Sequence, residues 1–243
     1  MELKDMIYRR KSVRSYTNEP VNNEMINEIH NFVESVEPLY LDIKVKMEIV
    51  ERSQVKCICP WTTPQIITIF SEDKPGYLEN IGFIFQQLEL YLQSMGIGTC
   101  WLGMGKLIAE DVFSEAKENG LEYVMMIAFG HPKGNAMRDG KDAFKRKALA
   151  DIADFPDEKL EPARFAPSSI NSQPWYFVHE GQWIHTYCSH KGVISKRIGN
   201  TNQIDIGIAL AHMFVANQET FKFEKLVEVE EKKGYTYIGS FSV

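Results

Sequence analysis

The chain of 243 residues reads as an α+β protein assembled from two related halves, and three observations carry that reading. Short alternating or β-branched runs are interleaved with two long, mostly apolar helical stretches. One order of features, Pro-Trp, strand, polar stretch, apolar helix, strands, occurs twice, from Pro60-Trp61 and again from Pro174-Trp175, a weak internal repeat for which a chance match is the alternative. Finally, no dinucleotide fingerprint is present: counted from Gly96, a G-x-G-x-x-G pattern would need glycine where Trp101 stands, and the segment follows a helix rather than a strand.

Taken in order, a basic segment leads through Tyr16 to Pro20 into a helix whose apolar positions Met25, Ile29, Phe32 and Val36 recur at helical spacing up to Pro38. Residues 43–50 alternate apolar and charged side chains, as a half-exposed strand does, and QIITIFS at 65–71 is a β-branched run typical of a buried strand. From Leu78, the positions Ile81, Ile84, Leu88, Tyr91 and Met95 mark a long helix that is apolar over much of its circumference, hence central, and that stops at Gly96 and Gly98. GTCWLGMG at 98–105, a polar helix near 109–118, a strand at 123–129 and a Gly-His-Pro turn at 130–132 follow. The acidic, proline-bearing stretch 150–162 reads as a connection, dividing the chain into halves 1–152 and 153–243. The second half holds FAPSSINSQPW (165–175), a strand pair around Gly181, a helix from about Ile204 to Glu219 and two closing strands.

Composition narrows the classes of function. With 25% charged and 44% hydrophobic residues the chain is ordinary for a globular protein, and no run approaches the roughly 18 apolar residues of a membrane span. The mixed-charge start MELKDMIYRR lacks the apolar stretch of a secretory signal, and four cysteines (Cys57, Cys59, Cys100, Cys188) are too few and scattered for a disulfide framework. A cytoplasmic protein without membrane partners is expected. The net charge of −6 argues against nucleic-acid binding, but it is the sum of two +4 segments, residues 4–14 and 133–147, and a remainder at −14. Two compact basic segments on an acidic body suit a local anionic ligand; a pair of solvated charge runs is the alternative.

Three segments could carry chemistry. Arg9-Arg10-Lys11-Ser12-Val13-Arg14 crowds cations and a hydroxyl into six residues. Arginine forks match phosphate oxygens, and each hydrogen bond to a charged group contributes about 1.5–3 kcal/mol, so this is phosphate-binding chemistry or a solvated arm. Ala166-Pro167-Ser168-Ser169-Ile170-Asn171-Ser172-Gln173-Pro174-Trp175 packs small donors between prolines, as a rigid loop facing a planar heterocycle would, or as a capped turn into a strand would. The glycines of GTCWLGMG allow backbone to approach a flat ligand. Cys57-x-Cys59 has no second pair and the six histidines show no zinc-ligand spacing, so no metal is expected. Ser168 and Ser169 lack a G-x-S-x-G frame, which argues against a hydrolase.

Together, the arginine-rich start, the A-P-S-x-x-N-x-Q-P-W loop and the passage from helix into GTCWLG resemble the flavin-dependent nitroreductase family. The order is altered: in that family the A-P-S loop lies one helix after the arginine motif, whereas here it appears only at 166–175. The chain thus looks like a fused variant, a nearly complete first copy followed by a truncated second. The resemblance implies an α+β fold with a central, mostly antiparallel sheet flanked by helices, an internal pseudo-twofold, and a monomeric pseudo-dimer with a homodimer left open. It implies FMN as cofactor, one per chain, with NAD(P)H as reductant and a small-molecule electron acceptor (a nitro compound, a quinone or a relative) as partner. Carried over by motif position, Arg10, Lys11, Ser12 and Arg14 would contact the FMN phosphate and ribityl chain, Arg146 with Lys145 would close on the phosphate, Pro167, Ser168, Ser169 and Asn171 would face the ring, and Leu102 and Gly103 would lie by flavin N5. The flavin carries the chemistry, so no catalytic side chain is required. A flavin- or small-ligand-binding module without turnover is the alternative.

Overall fold

The computed structural model describes residues 2–57, 59, 61–190 and 201–243; Pro60 of the first Pro-Trp pair lies outside them. The chain divides into two compact units: unit 1 comprises Met1–Tyr77 and Gln87–Lys141, unit 2 comprises Leu78–Gln86 and Asp142–Val243.

Unit 1 opens with a single helical turn, α1 (Leu3–Met6), and helix α2 (Asn23–Ser35), whose first turn is capped by the Asn22 side chain accepting from the Met25 N–H at 2.9 Å. Its strands are β1 (Val45–Glu51), β2 (Val55–Cys57), β3 (Gln65–Ser71), β4 (Gly98–Leu102), β5 (Gly105–Leu107) and β6 (Glu122–Gly130). Four of them make an antiparallel sheet in the order β1-β3-β6-β4, and β2 pairs with β5 in a small antiparallel ribbon. The position of β3 explains its composition. It has a neighbour on either side and is buried from Ile66 to Ser71, so it reads as a mostly apolar, β-branched run, whereas the edge strand β1 buries only Met47 and Val50. Helix α3 (Tyr77–Ser94) gives its second half to this unit, where Tyr91 stacks on Phe32 of α2 at 4.0 Å between ring centroids. Helix α4 (Glu110–Glu118) buries Ala116, packs the half-buried Val112 on the core and leaves its other residues exposed, as its polar sequence requires.

Unit 2 contains the first half of α3, two short helices α5 (Leu149–Ile152) and α6 (Glu161–Arg164), strands β7 (Trp175–Glu180) and β8 (Trp183–Ser189), helix α7 (Thr201–Ala216), and strands β9 (Lys222–Glu224) and β10 (Tyr235–Ser242). The strands form a second antiparallel sheet in the order β7-β8-β10-β9. The α+β fold with antiparallel sheet and flanking helices expected from the resemblance is present, its strands forming two four-stranded sheets, one in each unit. The stretch 150–162 is no free connection: Ile152, Ala153, Leu160 and Pro162 are buried, and Ala153 bridges to Phe177 of β7. Helix α7 is buried along nearly its whole length, from Asn202 to Val215, which accounts for its lack of a polar face.

Both sheets follow one rule. Labelling the four strands of each in chain order a, b, c, d, both have the spatial order a-b-d-c, and in both the long apolar helix (α3 or α7) lies in sequence between b and c. Within unit 2 these helices also touch in a reciprocal way. A Cβ on Gly82 of α3 would strike the carbonyl oxygen of Ile204, three residues before Gly207; a Cβ on Gly207 of α7 would strike that of Glu79, three residues before Gly82. The two backbones meet because neither helix carries a side chain at the crossing.

Candidate functional site

The arginine motif is held in unit 1 by its backbone. Ser12 bridges Thr99 of β4, the Val13 N–H donates to the Thr99 carbonyl at 2.8 Å, and Gly98 is bare where a Cβ would meet the Val13 side chain at 2.9 Å. The first glycine of GTCWLGMG thus admits the arginine motif itself. From the other side, residues of the second basic segment pair with the motif: the Lys133 N–H donates to the Ser15 carbonyl, the Arg138 N–H to that of Arg9 at 2.7 Å, and Arg138 Nε to that of Arg10 at 3.2 Å. Burial and the nearby Arg10 hold the Arg138 pKa below the ordinary arginine value. Over residues 133–141 the two basic segments therefore do converge.

The cations of the motif divide in two. Arg10 is 1% exposed, and its guanidinium grips Glu89 of α3 through Nε (3.0 Å to both carboxylate oxygens) and Nη2 (2.8 Å), with Nη2 also 3.2 Å from Ser12 Oγ. Gln93, one turn on, donates to Glu89 Oε1 and to Thr99 Oγ1, and its Oε1 accepts from the Lys11 N–H at 2.9 Å. Thr99 Oγ1 in turn donates to Glu89 at 2.9 Å. This closed buried network fixes the motif against α3 and β4. Lys11 is half-buried and reaches the Asn135 carbonyl at 2.6 Å, while Arg14 is exposed. Leu102 ends β4 buried, opposite Met126, and Gly103 follows it with an exposed backbone.

The A-P-S loop is the most contorted backbone described. Ile170, Asn171 and Gln173 have φ of 49°, 59° and 49°, the left-handed region that non-glycine residues seldom adopt, and such strain clusters at functional sites. Its supports are specific. Ser168 Oγ accepts from the Gln173 N–H at 2.9 Å, and the Ser169 N–H donates to the two carboxylate oxygens of Asp205 on α7 at 3.0 and 3.1 Å. Arg146 Nη1 donates to Asn171 Oδ1 at 2.7 Å and Nη2 to the Phe165 carbonyl, Asn171 Nδ2 donates to the Lys145 carbonyl, and Lys147 binds Gln173 through its N–H and Nζ. Unit 2 thus brings together Lys145, Arg146, Ser168, Ser169 and Asn171 beside the buried Pro167. Burial pushes the Asp205 carboxyl up to about 8 against the pull of the Ser169 and Ser172 hydrogen bonds.

Glu89 and Gln93 in unit 1 and Asp205 in unit 2 hold the motifs and were not named by the motif reading, whereas Thr99 and Arg138 lie in segments it singled out. Asp205 carried a signal, the one charged residue in the apolar run IDIGIALA, whereas Glu89 and Gln93 share QQLELYLQ with Gln86 and Gln87 and do not stand out in it. One other polar array stands out. His185 lies between Glu180 (2.7 Å) and Ser240 (2.7 Å) in the order of a hydrolase triad, yet Ser240 is fully buried, so no acyl substrate reaches its hydroxyl. Among the described residues no group of three His, Cys, Asp or Glu side chains gathers as a metal site, and no helix is long and apolar enough to cross a membrane.

No curated protein matches the sequence significantly. Among solved structures, a "putative nitroreductase" of Thermotoga maritima superposes with a TM-score of 0.67 at 20% identity, covering 99% of this chain and 92% of that one. An FMN-dependent nitroreductase of Clostridium difficile matches at 15% identity with a TM-score of 0.42, covering 60% of this chain and 98% of its own. The protein-family model described as "Putative TM nitroreductase" matches residues 2–217, far more than half the chain, and the chain belongs to that nitroreductase family.

Proposed function

We propose that the chain is an FMN-dependent NAD(P)H oxidoreductase of nitroreductase type, working in the cytoplasm in ping-pong order on a nitro, quinone or related acceptor. One observation supports the reading most: the arginine motif is bonded to the very strand, β4, that ends in Leu102 and is followed by Gly103. From Thr99, opposite Ser12, to Leu102 is three strand residues or about 10 Å, a span suited to an extended ribityl chain between a phosphate at the motif and a ring edge at the strand end. Each unit taken by itself offers donors that suit part of a phosphorylated flavin: in unit 1, Ser12, Lys11 and the exposed Arg14 offer a hydroxyl and two cations for a phosphate; in unit 2, Lys145 and Arg146 offer cations, and Pro167, Ser168, Ser169 and Asn171 a rigid polar edge for a ring. Arg10, engaged by Glu89, fits a positioning role toward Ser12. When bound, FMN would supply hydride acceptance from NAD(P)H and delivery to the acceptor. The chain's own residues bind and orient it, and exposed cations near the motif favour its anionic forms.

The arginine motif and the A-P-S loop each occur once in the sequence, which supports one FMN per chain and a monomeric pseudo-dimer. The test is reconstitution with FMN followed by NAD(P)H oxidation with quinone and nitroaromatic acceptors. Arg14→Ala is expected to weaken FMN at least tenfold, about 1.4 kcal/mol, with its fold unchanged by circular dichroism. A protein that takes up no FMN would end the reading, and one that holds FMN without turnover would instead be a flavin-binding module.

A further inference from the structure

We propose that Cys57 and Cys59 are a dithiol centre which a hydroperoxide closes reversibly into an intrachain disulfide. Cys57 ends β2, Cys59 lies two residues on, and their two Sγ atoms are 2.6 Å apart. Both residues are half-buried, against the buried Cys100 and Cys188, so of the four thiols these two are the pair open to a small oxidant. They pack onto the cluster of Tyr16, Cys100 and Leu102 with Trp61 beside them, and Cys57 is in register with Gly105 of β5. The ring to be closed spans one intervening residue, so almost no chain entropy opposes closure.

The electron balance runs through two steps. The Cys57 sulfur attacks the O–O bond of the hydroperoxide; an S–O bond forms, the O–O bond breaks, the alcohol or water leaves, and Cys57 becomes a sulfenic acid oxidised by two electrons. The Cys59 sulfur then attacks that sulfur; the S–S bond forms, the S–O bond breaks, and water leaves with the Cys59 proton. Burial and the neighbouring Cys57 push the Cys59 thiol up to about 12, which leaves the first attack, on the peroxide, to Cys57. A small dithiol reverses the reaction by exchange.

The full chain, reduced and desalted, is treated with hydrogen peroxide and followed by intact mass, thiol titration and tandem mass spectrometry. Expected is a loss of two hydrogens and of two of the four thiols, assigned to the segment bearing Cys57 and Cys59 and restored by dithiothreitol. In Cys59→Ser, closure is lost and dimedone traps a sulfenic acid at Cys57; in Cys57→Ser, neither product forms. Oxygen gain on Cys57 without a disulfide in the wild type, disulfide-linked chain dimers, closure that survives Cys59→Ser, or no reaction with peroxide each overturns the proposal. None of these readouts depends on flavin, so the failure of this inference and of the proposed activity are separable.

Discussion

Glu89 and Asp205 are both carboxylates buried in apolar helices, yet their partners differ in kind. Glu89 faces the Arg10 guanidinium at 2.8 Å, so each charge offsets the other's desolvation. Glu89→Gln leaves Arg10 buried beside a neutral amide, and the expected cost is about 3–5 kcal/mol in urea unfolding; a loss well under 1 kcal/mol would remove the pair from the list of groups that hold the motif. Among the described residues, Asp205 accepts from the Ser169 N–H and the Ser172 side chain, and burial raises its pKa from 3.8 to about 8 against their pull. The folded chain therefore keeps a proton that the unfolded chain releases between about pH 4 and about pH 8, and stability falls as pH rises across that window. Asp205→Asn retains an oxygen to accept from Ser169 and is expected to flatten this slope, which in the wild type amounts to a few kcal/mol. Urea unfolding of both proteins at pH 5 and pH 8 measures it; equal slopes would rule out Asp205 as the source.

At the scale of elements, the crossing of α3 and α7 at Gly82 and Gly207 is the least forgiving contact described, because each added methyl would meet backbone rather than a movable side chain. Gly82→Ala and Gly207→Ala are each expected to destabilise by about 1–3 kcal/mol through overpacking. The first variant that forces the helices apart makes room for the second, so the double variant should cost clearly less than the sum in chemical denaturation. Full additivity would mean the two glycines do not report on one crossing. This crossing also shows what was legible beforehand. Helices α2, α3, α4 and α7 and strands β3, β6, β7 and β8 follow from local period and composition, because each carries its burial pattern within its own residues. Strand β4 does not: its sequence GTCWL opens on a glycine whose purpose, making room for Val13, lies 85 residues earlier in the chain. Likewise 150–162 looks like a linker because α5 and α6 are too short to show a period, although their apolar residues are buried. The motif residues were legible one by one, but the division of labour between Arg10, turned to Glu89, and the exposed Arg14 depends on a helix 79 residues away.

For the molecule as a whole, net charge and local charge make opposite demands on an anionic ligand. If FMN is the ligand, as proposed, a chain at −6 would repel it at long range while the two basic segments would attract it at short range. Within unit 1 these segments are joined by backbone hydrogen bonds from Lys133 and Arg138, so their charges stay concentrated when the rest of the surface is acidic. Added salt screens the long-range repulsion over about 8 Å at physiological strength and weakens direct phosphate contacts as well, so discrimination between FMN and riboflavin separates the two effects. With at least two charge-assisted hydrogen bonds to the phosphate, at about 1.5–3 kcal/mol each, FMN should bind 100-fold or more tighter than riboflavin. Ligand at 100 times its Kd stabilises the folded chain by about 2.7 kcal/mol, so FMN is expected to raise Tm by several degrees while riboflavin at equal concentration does so far less. In Arg14→Ala the gap between the two ligands should narrow while riboflavin binding stays unchanged. Equal shifts for FMN and riboflavin in the wild type would mean that the basic segments do not read a phosphate, and the charge pattern would then be a solvated surface feature.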